Sequence, residues 1–431
     1  MSNLEYTPLP KLLKKIVDNR GKSVPIMDYG FPLIATNCIK HSSIYPTFDN
    51  IRYVSEETLG TWFRAHLEPH DILFVNKGTP GRTCLVPDPV TFCAAQDMMA
   101  FRCDETKIYY KYLFAILRSK WMRKIIENYH VGLVIPHFKK QDLGSLLIPN
   151  KSEKEQRAIG DIYVGLSEKI ELNNKINQEL ELMAKTIYDY WFVQFDFPDT
   201  EGKPYKSSGG KMVYSEELKR DIPEGWEVAV IGNTLSTVLG GTPLTKNKEY
   251  WNGNISWLNS GEIANFPIIN SNLKITQEAI AKSATTLMPI GTVVISITRH
   301  LRPSILAIES CANQSVVGIL ESNRFKSSYI YPLIQNEIPR YMTLRTGAQQ
   351  PHINKNTIDE TIMIIPTDNI LNRYYNTANP AYKKINNIAF QNEKLTQLRD
   401  WLLPMLMNGQ VKVGDVAHIS EELMVAEPKT T

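Results

Sequence analysis

A chain of 431 residues with 43% hydrophobic and 22% charged residues has room for two or three domains and a sizeable core. Met1–Lys15 carries no long apolar run, so no secretory leader is expected. No stretch approaches the ~18 apolar residues of a membrane helix, and Gly291–Thr298 reads as a short buried strand, so a soluble cytoplasmic protein is expected. The formal net charge is only +3. Charge alone therefore does not mark a nucleic-acid binder, although residues 1–148 carry about five more Lys and Arg than Asp and Glu.

In chain order, residues 1–150 alternate short apolar runs with Gly, Pro and Asn turns, the pattern of a mixed domain rich in short strands. The five cysteines, Cys38, Cys84, Cys93, Cys103 and Cys311, are odd in number and lack metal-site spacing. They read as buried thiols in a reducing compartment, with no metal site. From residue 151 the pattern becomes helical. Ile159, Ile162, Leu166, Ile170, Ile176, Leu180, Met183, Ile187 and Tyr190 step by three and four, a heptad seam interrupted by Asn173. A helix of about 30 residues spans about 45 Å, and an Asn on its seam can fix register at some cost in stability. Phe197–Met212 is rich in Gly, Pro and Ser and reads as a linker. A second mixed segment opens at Asp221–Trp226. A second seam follows at Ile385, Ile388, Leu395, Leu398 and Leu402, with Asn392 as its polar interruption and Pro380 and Pro404 as its bounds. Each seam needs a cover, and mutual packing of the two helices is expected over packing on their own domains alone. Beyond residue 413 the tail is polar and acidic.

The two halves repeat. Pro136-His137-Phe138 leading to Ile148-Pro149 corresponds to Pro351-His352-Ile353 leading to Ile365-Pro366, an offset of about 215 residues. Asp71–Val75 corresponds to Gly291–Ile295, Ala95–Met98 to Asn313–Val316, and Gly21–Pro25 loosely to Gly240–Pro243. A period this long signals two duplicated domains and not a solenoid.

The run Pro149–Ile159, the heptads, Tyr190-Trp-Phe-Val-Gln-Phe-Asp-Phe-Pro198, Glu201–Met212 and Ile222–Trp226 together resemble the central conserved region of type I restriction-modification specificity subunits. Leu395–Arg399 through Leu403–Gly409 resembles that family's C-terminal conserved region. The likeness covers nearly the whole chain in plan and is weaker in the two globular segments. It implies an α+β fold: two duplicated mixed α/β target-recognition domains separated by two long antiparallel coiled-coil helices. On that plan, recognition domains occupy 1–150 and 222–367, spacer helices 151–196 and 368–413, a linker 197–221 and a tail 414–431. It also implies a non-catalytic subunit that reads a bipartite, asymmetric double-stranded DNA site, one half per domain. The spacer helices would set the gap, and about 45 Å suits half-sites about one helical turn apart. Two methyltransferase subunits and motor-nuclease subunits are the implied partners. S-adenosylmethionine, ATP and Mg would belong to them, with no cofactor in this chain.

DNA reading needs groups that hold phosphates and groups that meet base edges. One turn in each half offers them at matching places: Lys77, Thr79 and Arg82 in the first, Arg299, His300 and Arg302 in the second. The alternative is an ordinary hairpin with solvated charges. A second candidate pair follows an apolar strand in each half, Asn37 and Lys40, and Asn259 and Ser260, where capping of local turns is the competing role. Gln96 and Gln314 occupy matched positions beside apolar strands and read as buried structural amides. His137 and His352 read as architectural.

Enzyme readings find little support. Asn379-Pro380-Ala381-Tyr382 departs from the Asn-Pro-Pro-Tyr motif of adenine methyltransferases at its third residue and lies beside a helical seam. Phosphate-loop, zinc-hydrolase and nucleophile-elbow motifs do not appear. A self-contained modification enzyme and a coiled-coil interaction scaffold remain the competing functions.

Overall fold

The computed structural model describes residues 5–19, 23–129, 136–298, 301–347 and 351–411. Contacts divide the chain into two compact units, Met1–Asn173 with Asn392–Thr431, and Asn174–Gln391.

The first unit is built on a four-stranded antiparallel sheet in the order Leu13–Val17, Met98–Cys103, Ile72–Val75, Thr83–Leu85. Its central strand is buried on both faces, which explains its unbroken apolar run. Ile72 and Phe74 pack towards the helices Tyr110–Arg118 and Lys120–Asn128. Leu73 and Val75 pack towards a second sheet, Arg52–Val54, Phe31–Ile34 and Cys93–Ala94, whose last two strands run parallel. A short pair, Tyr6–Pro8 with Leu147–Pro149, closes the unit.

The second unit repeats this wiring. Thr237–Leu239, Val316–Ile319, Val293–Ser296 and Pro303–Ile305 form the antiparallel sheet. Leu273–Ile275, Ile255–Leu258 and Ser310–Ala312 form the second sheet, again with one parallel pair. Glu227–Val230 pairs with Ile362–Ile365. The duplication is thus one of hydrogen-bond topology as well as of sequence. Val75 pairs with Met98, and Ser296 with Val316. Val75 therefore matches Ser296, one residue later than the sequence alignment places it.

Two long helices, Glu153–Tyr188 and Asp368–Met407, run antiparallel and pack on each other. Arg399 Nη1 reaches Ser167 Oγ at 3.4 Å, Asn173 meets Asn392, and Asn177 Nδ2 donates to the Ile385 carbonyl at 3.2 Å. The first helix opens on a capping box, in which Ser152 N–H donates to Glu155 Oε2 at 3.0 Å and Glu155 N–H donates to Ser152 Oγ at 3.4 Å. Gly160 lets this helix touch the helix Tyr110–Arg118, for a Cβ there would stand 2.6 Å from the Tyr112 nitrogen.

Three expectations change. The first seam holds through Ile170, but Ile176, Met183 and Tyr190 are exposed. Asn177, Ala184 and Tyr188 face inward in their place. Ala184 is small enough for close approach, and the Tyr188 ring joins Phe192, Tyr329 and Tyr374 in an aromatic cluster. Pro380 and Pro404 do not bound the second helix, which runs through both. An interior proline costs about 3 kcal/mol. Burial of Tyr374, Ala378, Ala381, Tyr382 and Ile385 around Pro380 outweighs that cost. Phe197–Met212, rich in Gly and Ser, is folded. Phe197 stacks on Tyr205 and Trp226, and Asp196 takes hydrogen bonds from the Ser207 hydroxyl and amide.

Among the described residues no group of side chains could hold a metal, and no helix is long and apolar enough to cross a membrane. All five cysteines are buried thiols, and burial pushes Cys93 and Cys103 up to about 12.

Candidate nucleic-acid interface

In each unit the central strand of the four-stranded sheet runs into a turn, and three separate stretches of chain meet there. In the first unit Gly81 N–H donates to the Val75 carbonyl at 3.0 Å, and Val75 N–H to the Arg82 carbonyl at 2.9 Å. Gly78 and Gly81 supply the positive φ of 84° and 90° that this tight return requires. Asn76 N–H donates to the Asp97 carbonyl at 3.1 Å, joining the turn to the end of the parallel strand pair. Gly78 N–H donates to the Pro136 carbonyl at 2.9 Å and Phe138 N–H to the Asn76 carbonyl at 2.7 Å. The Pro-His element is therefore a strap across the base of the turn, anchored by the buried Phe138 ring.

The second unit repeats the bonds that join the turn to the strand end and to the strap. Ile297 N–H donates to the Ser315 carbonyl at 2.9 Å and Ile353 N–H to the Ile297 carbonyl at 3.0 Å. Thr298 bridges to His352 as Lys77 does to His137. His137 and His352 thus hold matched positions in the two straps.

Within this frame Lys77 and Thr79 are exposed on the turn and Arg82 is half-buried. Lys77 Nζ lies 3.9 Å from Asp97 Oδ1, a solvent-exposed pairing that a phosphate could replace at small cost. Arg302 is exposed on the matching turn, and Arg299 and His300 lie outside the described residues.

Asn37 and Lys40 follow strand Phe31–Ile34 and converge on one residue. Asn37 Nδ2 donates to the Asp49 carbonyl at 3.0 Å, and Lys40 pairs with the Asp49 carboxylate. The hydrogen bond from Lys40 holds the Asp49 carboxyl below its ordinary range. Asn259 is spent on its own turn: Oδ1 accepts from Gly261 N–H at 2.8 Å, and Nδ2 donates to Glu262 Oε2 at 2.7 Å. Ser260 is half-buried beside it. The two sets occupy corresponding strand ends, for Ala95 N–H donates to the Ile34 carbonyl and Asn313 N–H to the Leu258 carbonyl, each at 2.9 Å.

Arg82 contributes to a positive field at His41. Burial and the charges of Arg123, Arg118 and Arg82 lower the His41 pKa to about 4. Arg82→Ala is expected to raise the His41 midpoint in an NMR titration, by less than Arg123→Ala does. An unmoved midpoint would remove Arg82 from this field.

Sequence reasoning missed Arg123 and His41, since only the fold brings them near Arg82. It also read Gln314 as a buried amide, whereas Gln314 is exposed and accepts a hydrogen bond from Thr242 Oγ1 at 2.6 Å. Strand Val316–Ile319 begins two residues further on and leaves the glutamine at the sheet's open end. The Asn379–Tyr382 segment lies within the second long helix, where Asn379 Oδ1 accepts from Ser328 Oγ at 2.6 Å and Tyr382 is buried.

The profile of the type I restriction modification DNA specificity domain matches residues 20–182 and 223–373, one copy in each half. The specificity subunit of the type I restriction enzyme MjaIX of Methanocaldococcus jannaschii is 24% identical over 312 residues, covering 71% of this chain and 70% of that one. The HindI specificity subunit of Haemophilus influenzae is 23% identical over 328 residues, covering 62% and 69%. The crystal structure of a type I restriction-modification S subunit from M. genitalium aligns over 94% of this chain and 97% of that one, with a TM-score of 0.58 and 14% identity. With two matched specificity domains and a shared fold, the chain belongs to the family of type I restriction-modification specificity subunits.

Proposed function

We propose that this specificity subunit reads a bipartite, asymmetric double-stranded DNA sequence, one half-site per unit. The observation that carries the reading is the duplicated strapped turn. The bonds that tie it to the strand end and to the strap recur in both units, but the side chains at those places differ: Asn76 and Lys77 in one, Ile297 and Thr298 in the other. A constant frame with changed side chains suits two readers of two different sequences. The recognition domains are assigned to 1–150 and 222–367, the spacer helices to 151–196 and 368–413, the linker to 197–221 and the tail to 414–431.

As a specificity subunit the chain leaves methyl transfer and cleavage to other subunits. Two methyltransferase subunits and motor-nuclease subunits are the proposed partners, working in the cytoplasm and carrying S-adenosylmethionine, ATP and Mg. Ile176 and Met183 on the first long helix and Tyr190 in the π-helical turn Asp189–Val193 that follows it are exposed and spaced by seven, an apolar row that supports partner docking.

Single-molecule sequencing of DNA methylation, in cells with and without the gene, tests the reading. Loss of one split, asymmetric adenine-methylation motif is the expected result, and an unchanged methylome overturns it. In the same assay Arg82→Ala should relax or abolish one half-site only, and Arg302→Ala the other. An unchanged motif in either variant sinks that assignment.

A further inference from the structure

We propose that Gln96 and Gln314 are matched base-reading side chains, one in each unit, each directed at the major-groove edge of an adenine. The proposal rests on the DNA-reading function above and adds residues and a base to it.

The equivalence of the two glutamines is fixed by backbone bonds on both sides. The preceding residue, Ala95 or Asn313, donates to the strand-end carbonyl of Ile34 or Leu258. The carbonyl of the following residue, Asp97 or Ser315, accepts from the first residue of the strapped turn, Asn76 or Ile297. Each glutamine therefore stands where the parallel strand pair, the turn and the Pro-His strap meet. The residues on either side of it differ from unit to unit, Ala95 and Asp97 in one and Asn313 and Ser315 in the other, yet the amide is the same.

A structural amide in such a place would be bonded at both ends. Gln96 Oε1 is shut off from solvent and has no hydrogen-bond partner among the described residues. A buried carbonyl oxygen without a donor is unfavourable. Rotating the side chain outward therefore gives up no hydrogen bond at that atom. In Gln314 the Thr242 hydroxyl donates to Oε1 at 2.6 Å and orients the exposed amide. An outward carboxamide offers one acceptor and one donor side by side. That pair complements the N6 amino group and N7 of adenine, whereas guanine presents two acceptors at the same edge.

The test is complementation of the deleted gene in its native cells, with the methylome as readout. Gln96→Ala is expected to raise methylation about tenfold at sites carrying a substitution at one A·T pair of a single half-site. Gln314→Ala should do the same in the other half-site. Gln96→Met, which keeps the volume without hydrogen bonding, gives the same readout should the alanine variant fold poorly. Gln96→Glu should move the preference from adenine to cytosine, because a carboxylate accepts from the cytosine N4 amino group. If the wild-type chain restores a split motif and all Gln96 and Gln314 variants leave each adenine position as strict as before, the proposal is overturned while the DNA-reading function stands. Uniform loss of methylation from variants that melt like the wild type marks a positioning role and also overturns it. If the wild-type chain restores no motif, the underlying function itself fails.

Discussion

Arg118→Ala is expected to destabilise the first unit by about 4 kcal/mol, the largest effect of any single change considered. Arg118 ends the helix Tyr110–Arg118 and is 7% exposed. Its guanidinium donates to the Ser43 carbonyl at 2.7 Å, to the Thr83 carbonyl at 3.5 Å and to the His41 carbonyl. It also lies 5.1 Å from the Phe114 ring centroid. Burial lowers its basicity, but an arginine so placed keeps its charge at neutral pH. Alanine removes the donors and leaves a cavity, and both terms act in the same direction. Arg118→Met refills most of the volume and should cost about 2 kcal/mol, the hydrogen-bond share alone. Urea denaturation of the full chain gives both numbers, and hydrogen exchange should localise the loss to residues 41–47 and 83–85. A methionine variant as stable as the wild type would show that the carbonyls do not need the guanidinium. Thr83 directly follows Arg82, so the same variants are also expected to weaken reading of the first half-site.

The role of Arg118 could not be read in the sequence, because its partners lie 35 to 77 residues away and are all backbone carbonyls. What was legible depended on local pattern or on repetition. The second seam, Ile385, Ile388, Leu395, Leu398 and Leu402, is buried or half-buried throughout, since its steps of three and four keep to one face of the helix. The first seam was legible in full to Ile170 and beyond it only at Leu180 and Ile187, which pack against the second unit's core. Beyond it Ile176 and Met183 offered an equally regular apolar row, and the choice of Ala184 and Tyr188 was made by the aromatic cluster contributed from distant segments. The duplication located the two turns without any knowledge of the strands. It did not disclose that the Pro-His element straps those turns, because backbone pairing between residues as distant as Lys77 and His137 leaves no periodic signal. Lys77 and Arg82 could be found as basic residues in a turn, but Arg123 and His41 could not.

Asn173 and Asn392 form the seam's polar contact, and a double-mutant cycle there should give a coupling of about 2 kcal/mol. Asn173 is 2% exposed and Nδ2 donates to Asn392 Oδ1 at 2.7 Å, while Asn392 Nδ2 donates to the Ile170 carbonyl at 3.4 Å. Asn173→Leu strips one donor from the seam and sets an apolar side chain against the remaining amide, a cost of about 1 kcal/mol. Asn392→Leu should cost a similar amount. The double variant removes both polar groups and adds apolar burial, so it should recover to wild-type stability or exceed it. A polar pair of this kind can be retained for register. Here a shift of one heptad would displace each helix by about 10 Å. It would unseat Tyr374, Ala378 and Tyr382 from one core and Leu402 and Leu406 from another, a far larger loss than the amide contact supplies. The cores therefore hold the register. A cysteine pair placed at Ser167 and Arg399 and bridged by a short bifunctional maleimide should crosslink as readily in the double variant as in the wild type. Additive single-mutant losses would disprove the coupling. Loss of the crosslink with stability retained would show that the asparagines, and not the cores, set the alignment of the two helices.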